Sequence, residues 1–537
     1  NLRYNVSPTE LTPKIRNILQ QRIEPLPEEC RKILDFISVF FDGISFRGLS
    51  LISRKDDFEL VEILEYLLNQ NLLKESKDQN NTFFSFTHQK ILDYVYNEMS
   101  WTKKRVLHSK AGCYYETLLQ NNSKDMALYP KLIYHFERSA DHEKYLKYSV
   151  KYLYHYLNVT HEFFPVMEKN LTLFNLNMKA ETQEQLPDDL TDIERLLGKI
   201  ESKVNSYSEA FLFDKSGENS SLEIHSEFLH MIGRHYIRTC HYDRGLVYIN
   251  KLKALNSSSS SASCMEKKIQ ANRQLICVYI NRYEPEKMGE VIRDSFSLIN
   301  SKTQPEELAV WKRLDGLRCI MRGNLSDGRK NLIEAIKIFN HSQEKEKHLY
   351  NLAAAYSWIG ESYRHLKRYT VALACYKKAI SICSGNFLVS GIAIFYAYGG
   401  MAALESGDCS LAEKYLNSSL LHYERGNLMW GRSLPHSYKA LLFIQKENFP
   451  EAFRYLQLAL SYARKLESRY ETGIVYRIYA QIKAYSLKNT KLQKLAAAEL
   501  PHSFSFYCRT ALSCFEGVYS PGDIEILNSL INENQKN

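Results

Sequence analysis

The stretch YSWIGESYRHLKRYTVALACYKKAI, residues 356–380, decides the fold. Its apolar residues recur at helical spacing in two successive runs. Ile359, Gly360 and Tyr363 fall on a first helix; Tyr369 opens a second, on which Ala372, Tyr376 and Ala379 share a face. Gly360 and Ala372 stand 12 residues apart, one in each helix. Two antiparallel helices approach closely only where the side chains at their crossing are small, so this pair predicts a tight helical hairpin.

The same spacing recurs along the chain. The pairs are Gly198/Ala210, Gly233/Gly245, Ile276/Met288, Gly316/Gly328, Gly360/Ala372, Gly400/Ala412 and Ala440/Ala452. Six of the seven carry Gly or Ala at both places, and the second members follow one another at 35, 43, 40, 44, 40 and 40 residues. The Ile276/Met288 pair departs from the pattern and predicts a distorted unit. The pattern resembles the tetratricopeptide repeat, and the resemblance implies a right-handed superhelix with the first helix of each pair lining its inner groove. The serine tract NSSSSSAS (256–263) reads as an inter-repeat loop, QEQLPDDLTD (183–192) as an exposed turn, and PHSFSFYCRTALSCFEGVY after about 500 as a helix closing the array.

Composition agrees with a mainly helical chain. Among 537 residues there are 22 Gly and 13 Pro, both poor in helix interiors, and the length calls for more than one core or a repeat array. The net charge of +9 is spread over 70 basic and 61 acidic residues. The densest basic run, WTKKRVLH (101–108), is too short for a nucleic-acid patch and reads as a solvated helix face. Eleven cysteines without CxxC spacing suit reduced thiols in a cytoplasmic protein, and no apolar run is long enough to predict a membrane span. The chain begins with Asn1, which suggests a piece of a longer protein.

The first 120 residues read differently. LPEECRKILDFISVFF (26–41), DGISFRGLSLIS and FELVEILEYLLNQNLLKES (58–76) predict three helices, and KDQNN followed by FFSF predicts a small hairpin. That order suggests a winged-helix-like domain. The fold class is therefore mainly all-α: residues 1–20 a linker, 21–120 the winged-helix-like domain with one small β-hairpin, 121–190 a helical connector with a first repeat-like pair, 191–499 the repeat array, and 500–537 capping helices and tail.

No chemistry-bearing motif stands out. GxxxxGK[ST], GxGxxG after a strand, HExxH, GxSxG and an EF-hand loop are all missing from the sequence, and the 16 histidines do not pair at metal-ligand spacing. The chain is read as neither an enzyme nor a metal protein.

The ordered set LPEECRKILDFISVF (26–40), LEYLLNQNLLKES (64–76), FSFTHQKILDYVYNEM (84–99), KRVLHSKAGCYYE (104–116) and LIYHFERSADHEKYLKYSVKYL (132–153) resembles the region that follows the ATPase in STAND signalling ATPases. LNVTHEFFPVMEKN (157–170) is similar to the bacterial branch of transcriptional activators that carry an activator-type helical domain and C-terminal tetratricopeptide repeats. The resemblance implies a sensor and relay region, with ATP or ADP held by an upstream ATPase domain in cis and no cofactor in this chain. It implies a small-molecule inducer or a regulatory protein as partner, DNA contact only through a further domain, and no membrane. A docking scaffold from a soluble adenylyl cyclase or a kinase is the alternative. The resemblance also makes His88 a nucleotide-sensor candidate facing the ADP phosphates; the competing reading is a histidine that fixes the strand-to-helix corner. Outward positions on first helices give Arg234, Arg313, Glu361 and Arg364 as groove candidates, each otherwise a solvated helix residue.

Overall fold

A computed structural model describes residues 12–40, 42–78, 81–121, 125, 127–158, 197–206, 218–257, 261–299, 304–385, 391–426, 429–487 and 489–535. The chain divides into two compact units, one of residues 1–156 and 182–228, the other of 157–181 and 229–537. The expected array start at 191 thus falls in the first unit. LNVTHEFFPVMEKN lies largely outside the described residues, as do QEQLPDDLTD and Ala210.

The first unit opens with α1 (Pro13–Ile23), which starts inside the stretch expected to be a linker because Pro13 sits in its first turn, where a missing N–H costs nothing. Then come α2 (Glu28–Ser38), β1 (Ile44–Ser45), α3 (Phe46–Ser53), α4 (Asp57–Asn69), β2 (Leu73–Asp78), β3 (Asn81–Phe86) and α5 (Gln89–Glu98). Ser45 and Asp56 cap α3 and α4 through backbone N–H groups of Gly48 and Phe58. The sheet has three strands in the order β1-β3-β2, with Ile44 opposite Phe84 and Leu73 opposite Phe86. Two expectations are corrected. The hairpin gains a third strand, and the helix expected over 58–76 stops at Asn69, with LKESKD forming β2. Asn71 adopts φ 53°, a left-handed turn that an Asn tolerates, and this swings Leu72 and Leu73 out of helical phase into the core.

Helices α6 (Trp101–Asn121), α7 (Leu128–Ser139) and α8 (His142–Asn158) complete the described part of this unit, together with helical residues 197–206 and 218–228. The basic run at the start of α6 is not simply a solvated face: Leu107 and His108 are buried. The Nδ1 atoms of His108 and His135 lie 2.9 Å apart, and Tyr96 Oη is 3.0 Å from His108 Nε2. Burial holds His108 down at about 3, with Arg138 and Lys104 adding to it, and burial holds His135 well below the usual imidazole range.

The second unit is a stack of helix pairs: α9 (Glu218–Arg238, of which this unit holds the part from Leu229) with α10 (Tyr242–Leu255), α11 (Ala262–Arg282) with α12 (Pro285–Leu298), α13 (Pro305–Met321) with α14 (Leu325–His341), α15 (Leu349–His365) with α16 (Tyr369–Gly385), α17 (Ile392–Glu405) with α18 (Cys409–Gly426), and α19 (Ser433–Gln445) with α20 (Phe449–Lys465). The small-residue pairs sit where the helices cross. A Cβ on Gly316 would come within 3.0 Å of the Gly328 carbonyl oxygen, and one on Gly328 within 2.9 Å of that of Gly316. Gly233 and Gly245 oppose one another in the same way, and Gly360 faces the Tyr376 ring at 2.7 Å. Ile276 and Met288 are both fully buried, so their pair closes on larger side chains. Gly198 is different: nothing lies within 4 Å of where its Cβ would be.

Each hairpin turns through one left-handed residue: Cys240, Tyr283, Gly323, Lys367, Gly407 and Glu447, at φ between 57° and 90°. In the fourth pair, Arg368 N–H bonds the Tyr363 carbonyl and Lys367 N–H that of Arg364, a helix-ending arrangement that satisfies otherwise orphaned carbonyls. The array ends on α21 (Arg469–Ser486), α22 (Thr490–Glu499), α23 (Phe504–Phe515) and α24 (Pro521–Gln535). α21 packs closely along α23, where a Cβ on Gly473 would meet the Phe515 ring at 2.7 Å. α22 is thus inserted between the two helices of this last pair.

Gly316→Ala is expected to lower stability by about 1–3 kcal/mol despite the better helix propensity of alanine, because Leu332 and the Gly328 carbonyl cannot both retreat; urea unfolding measures it. The histidine pair sets a pH dependence. Both imidazoles are harder to protonate folded than unfolded, so stability is complete above the unfolded value near 6.5 and falls as pH drops toward the folded value. Each histidine is expected to remove about 1 kcal/mol between pH 7 and 5.5. His108→Gln, neutral throughout, should flatten the loss in urea unfolding at the two pH values.

Candidate functional site

The first helices of successive pairs present polar side chains to one another. Arg364, near the C-terminus of α15, is the centre of this arrangement. Its guanidinium forks onto Glu361 one turn earlier, Nε to Oε1 at 3.0 Å and Nη2 to Oε2 at 2.9 Å. Nη1 donates to Glu405 on α17 at 2.9 Å, and Nη2 reaches Tyr470 Oη on α21 at 3.3 Å. Tyr438 on α19 donates to the same Glu405 oxygen at 3.0 Å, and Tyr376 on α16 donates to Glu361. Arg364 therefore ties three first helices directly, and Tyr438 brings in a fourth through Glu405.

The electrostatics follow from burial and partnering. Burial opposes ionisation of Glu361, yet Arg364 overrides it and holds the carboxyl below the usual range. Glu405 shares the same guanidinium at one oxygen only, and there burial wins and pushes its carboxyl up. Burial alone would weaken the charge on Arg364, but Glu361 and Glu405 hold it well above the ordinary value.

Two contacts tie α21 and its approach back to α11. Arg282 pairs with Glu467 at 2.6 Å, and the Tyr283 and Tyr470 rings stack with centroids 5.1 Å apart. On the other side of the network α24 approaches. Arg477 Nε pairs with Asp523 Oδ1 at 2.6 Å, and Lys367 Nζ bonds Glu525 Oε2 at 2.8 Å. The Tyr519 ring meets His365 edge-on at 5.3 Å and lies over Gly323. Between α24 and the first helices α15, α17, α19 and α21 runs a groove of about 740 Å³ lined by Arg364, Glu405, Tyr438, Ile444, Arg477 and Tyr485, among others.

All four groove residues expected from sequence lie on first helices, but not as solvated residues. Arg234, Arg313, Glu361 and Arg364 are between 0% and 8% exposed. The reason is that each faces a neighbouring first helix rather than open water. Glu361 and Arg364 are brought together in one ion pair. Arg313 sits with its guanidinium 4.9 Å from the Trp358 ring, and burial pulls it down to about 9. Arg234 and Arg313 lie apart from the Arg364 network but close to a common neighbour, Cys277 on α11, whose thiol burial pushes up to about 11 against the arginines' pull. In the same region His230 is held well below the usual imidazole range by burial, with Arg234 and Lys267 adding to it.

His88 is the residue before α5, extended at φ −138° and exposed; its side chain makes no capping bond, while its carbonyl receives the Ile91 N–H. The corner is thus held by backbone, not by the imidazole. Glu405, Tyr438, Tyr470, Arg477 and Asp523 escaped sequence reasoning. One signal was available: Arg477 follows Gly473 by four residues, as Arg364 follows Gly360.

Among the described residues no group of three His, Cys, Asp or Glu could hold a metal ion, and no helix is long and apolar enough to cross a membrane. All 11 cysteines are free.

Residues 353–386 match the tetratricopeptide repeat family. No curated protein matches the sequence. Among solved structures, the chain is similar to the STAND protein with a tetratricopeptide repeat sensor from Pyrococcus horikoshii, at 14% identity and a TM-score of 0.44, over 86% of this chain and 66% of that one. It is also similar to the apo form of RapI, at 15% identity and a TM-score of 0.39 over 56% of this chain and 99% of that one. A third similarity is to yeast Tom70, at 14% identity and a TM-score of 0.33 over 81% and 96%.

Arg364→Ala is expected to cost about 3–5 kcal/mol, because it strands the buried carboxylate of Glu361 and takes the cation from Glu405 as well. Arg364→Lys should recover only part, lacking the planar fork that reaches Glu361 and Glu405 together. Urea unfolding of both variants checks this.

Proposed function

We propose that this chain is the sensor and relay region of an ATP-dependent regulator, taking a regulatory protein or peptide on the first-helix face and passing the signal to an upstream nucleotide-binding domain. The observation that carries the reading is the Arg364 network. It couples four first helices through one ion cluster beside an open groove, so a partner that engages the cluster acts on several repeats at once. The groove's charged ladder supports a peptide or protein partner over a small apolar inducer.

The first unit supports the relay half. The order α2, β1, α3, α4 and the β2–β3 hairpin supports the winged-helix reading of residues 21–120. The outer face of α4 carries Phe58, Val61 and Tyr66 among Glu59, Glu62 and Glu65, all exposed. Phosphates would be repelled there, whereas a protein surface would bury the rings, so the reading assigns α4 to a protein contact and DNA binding to a separate domain. His88, exposed at its corner, suits a donor to a nucleotide phosphate. A docking scaffold attached to a soluble adenylyl cyclase or a kinase is the second reading, favoured by the same charged ladder.

The test uses the chain joined to its nucleotide-binding domain. His88→Ala should speed ADP release about tenfold, the loss of one charge-assisted hydrogen bond. Stopped-flow release of a fluorescent ADP measures it, and an unchanged rate sinks the sensor role.

A further inference from the structure

The segment from Tyr519 to Gln535 is placed unlike any other part of the array. It is not the second helix of a pair; α23 fills that role against α21. It lies instead at the C-terminal ends of first helices, the Tyr519 ring over Gly323 and against His365, Asp523 on Arg477, and Glu525 on Lys367. Its chemistry is one-sided. Between Glu516 and Gln535 there are four acidic residues, Glu516, Asp523, Glu525 and Glu533, and no Lys or Arg. The groove answers with Arg364, Lys367 and Arg477.

The fit is incomplete. α24 buries Leu527 fully, but Ile526 remains partly exposed and about 740 Å³ stays open between the helix and the floor formed by Leu441, Ile444 and Ala484. Of its two ion pairs, Arg477–Asp523 is buried, whereas Lys367–Glu525 is exposed at both ends and contributes little. The helix is held by one buried ion pair, one aromatic contact and an apolar edge of Leu527, Ile524 and Ile531 on the array's core, and the groove beside it stays open, so its polar face is suited to exchange.

We propose that residues 519–535 are an internal ligand of the groove, and that the external partner is an acidic amphipathic helix of the same pattern, an aromatic residue followed within one or two turns by two carboxylates. Partner and tail compete for Arg477 and Lys367, so the tail sets the threshold for binding. By mass action, a groove closed in most molecules weakens apparent affinity by the open fraction. This rests on the peptide-receptor half of the reading above and not on the nucleotide relay.

The probe is a fluorescein-labelled peptide with the sequence of residues 516–535, titrated into the full chain and followed by anisotropy. The double variant Asp523→Lys, Glu525→Lys reverses the tail's charge without shortening the chain. It should bind the peptide at least tenfold more tightly than the native chain, and amide hydrogen exchange over 519–535 should accelerate. Adding Arg477→Glu should abolish the gain. Lys367→Glu, at an exposed position that does not threaten folding, should weaken peptide binding to the double variant a few-fold. A tail that stays protected in the double variant, or one that loosens without tighter peptide binding, overturns the proposal. Neither result bears on ADP release, so the two hypotheses fail separately.

Discussion

The array depends on how closely two helix backbones can approach. At Gly316 and Gly328 each backbone carbonyl occupies the space a side chain would need on the other helix. Contact at that distance fixes the crossing, and the crossing fixes where the rest of each helix points. The larger residues on either side then have determined partners: Leu332 over Gly316, Tyr376 over Gly360, Leu416 over Gly400. Dispersion contacts are individually small, but with no slack at the crossing they act together. At the Ile276/Met288 pair two larger side chains, both fully buried, stand where the other hairpins have Gly or Ala.

On this frame the first helices carry something unusual for an interior: ionised groups. Burying charge is costly unless partners repay the lost hydration, and Arg364 is partnered by two carboxylates and a phenol from three helices. The unequal treatment of Glu361 and Glu405 follows from geometry, a two-point fork on one and a single contact on the other. Such a cluster is sensitive to small displacements of any member, which suits a face meant to register binding.

The repeat was legible because close approach restricts residue type so severely that Gly and Ala must recur at fixed spacing. The hairpin of the first unit was legible in part. β2 was missed because the leucines run on to Leu73 with no Gly or Pro to end the helix; the marks of the break are Asn71 itself and the fact that Leu72 and Leu73 fall off the face set by Leu60, Ile63, Leu64 and Leu67. The four groove candidates do lie on first helices, but only Arg364 of them lines the groove, and all four are buried rather than solvated. Their burial is made by residues far along the chain: Tyr470 is 106 positions from Arg364. Neighbours of that kind leave no periodic trace. Asp523 and its helix were invisible for the same reason, since a terminal segment reads alike whether it caps an array or folds back on it.

Arg282 on Glu467 joins positions 185 residues apart, and the rings of Tyr283 and Tyr470 stack beside that pair. Repeat arrays ordinarily touch only adjacent units, so they stretch and fray like a spring, one coil at a time. A clasp between distant coils changes the mechanics. Tension applied at the ends would load the clasp before the individual hairpins, and the coils between would give way together rather than in sequence. Removing the two rings would leave only the Arg282–Glu467 pair to carry that load and would soften the buckle.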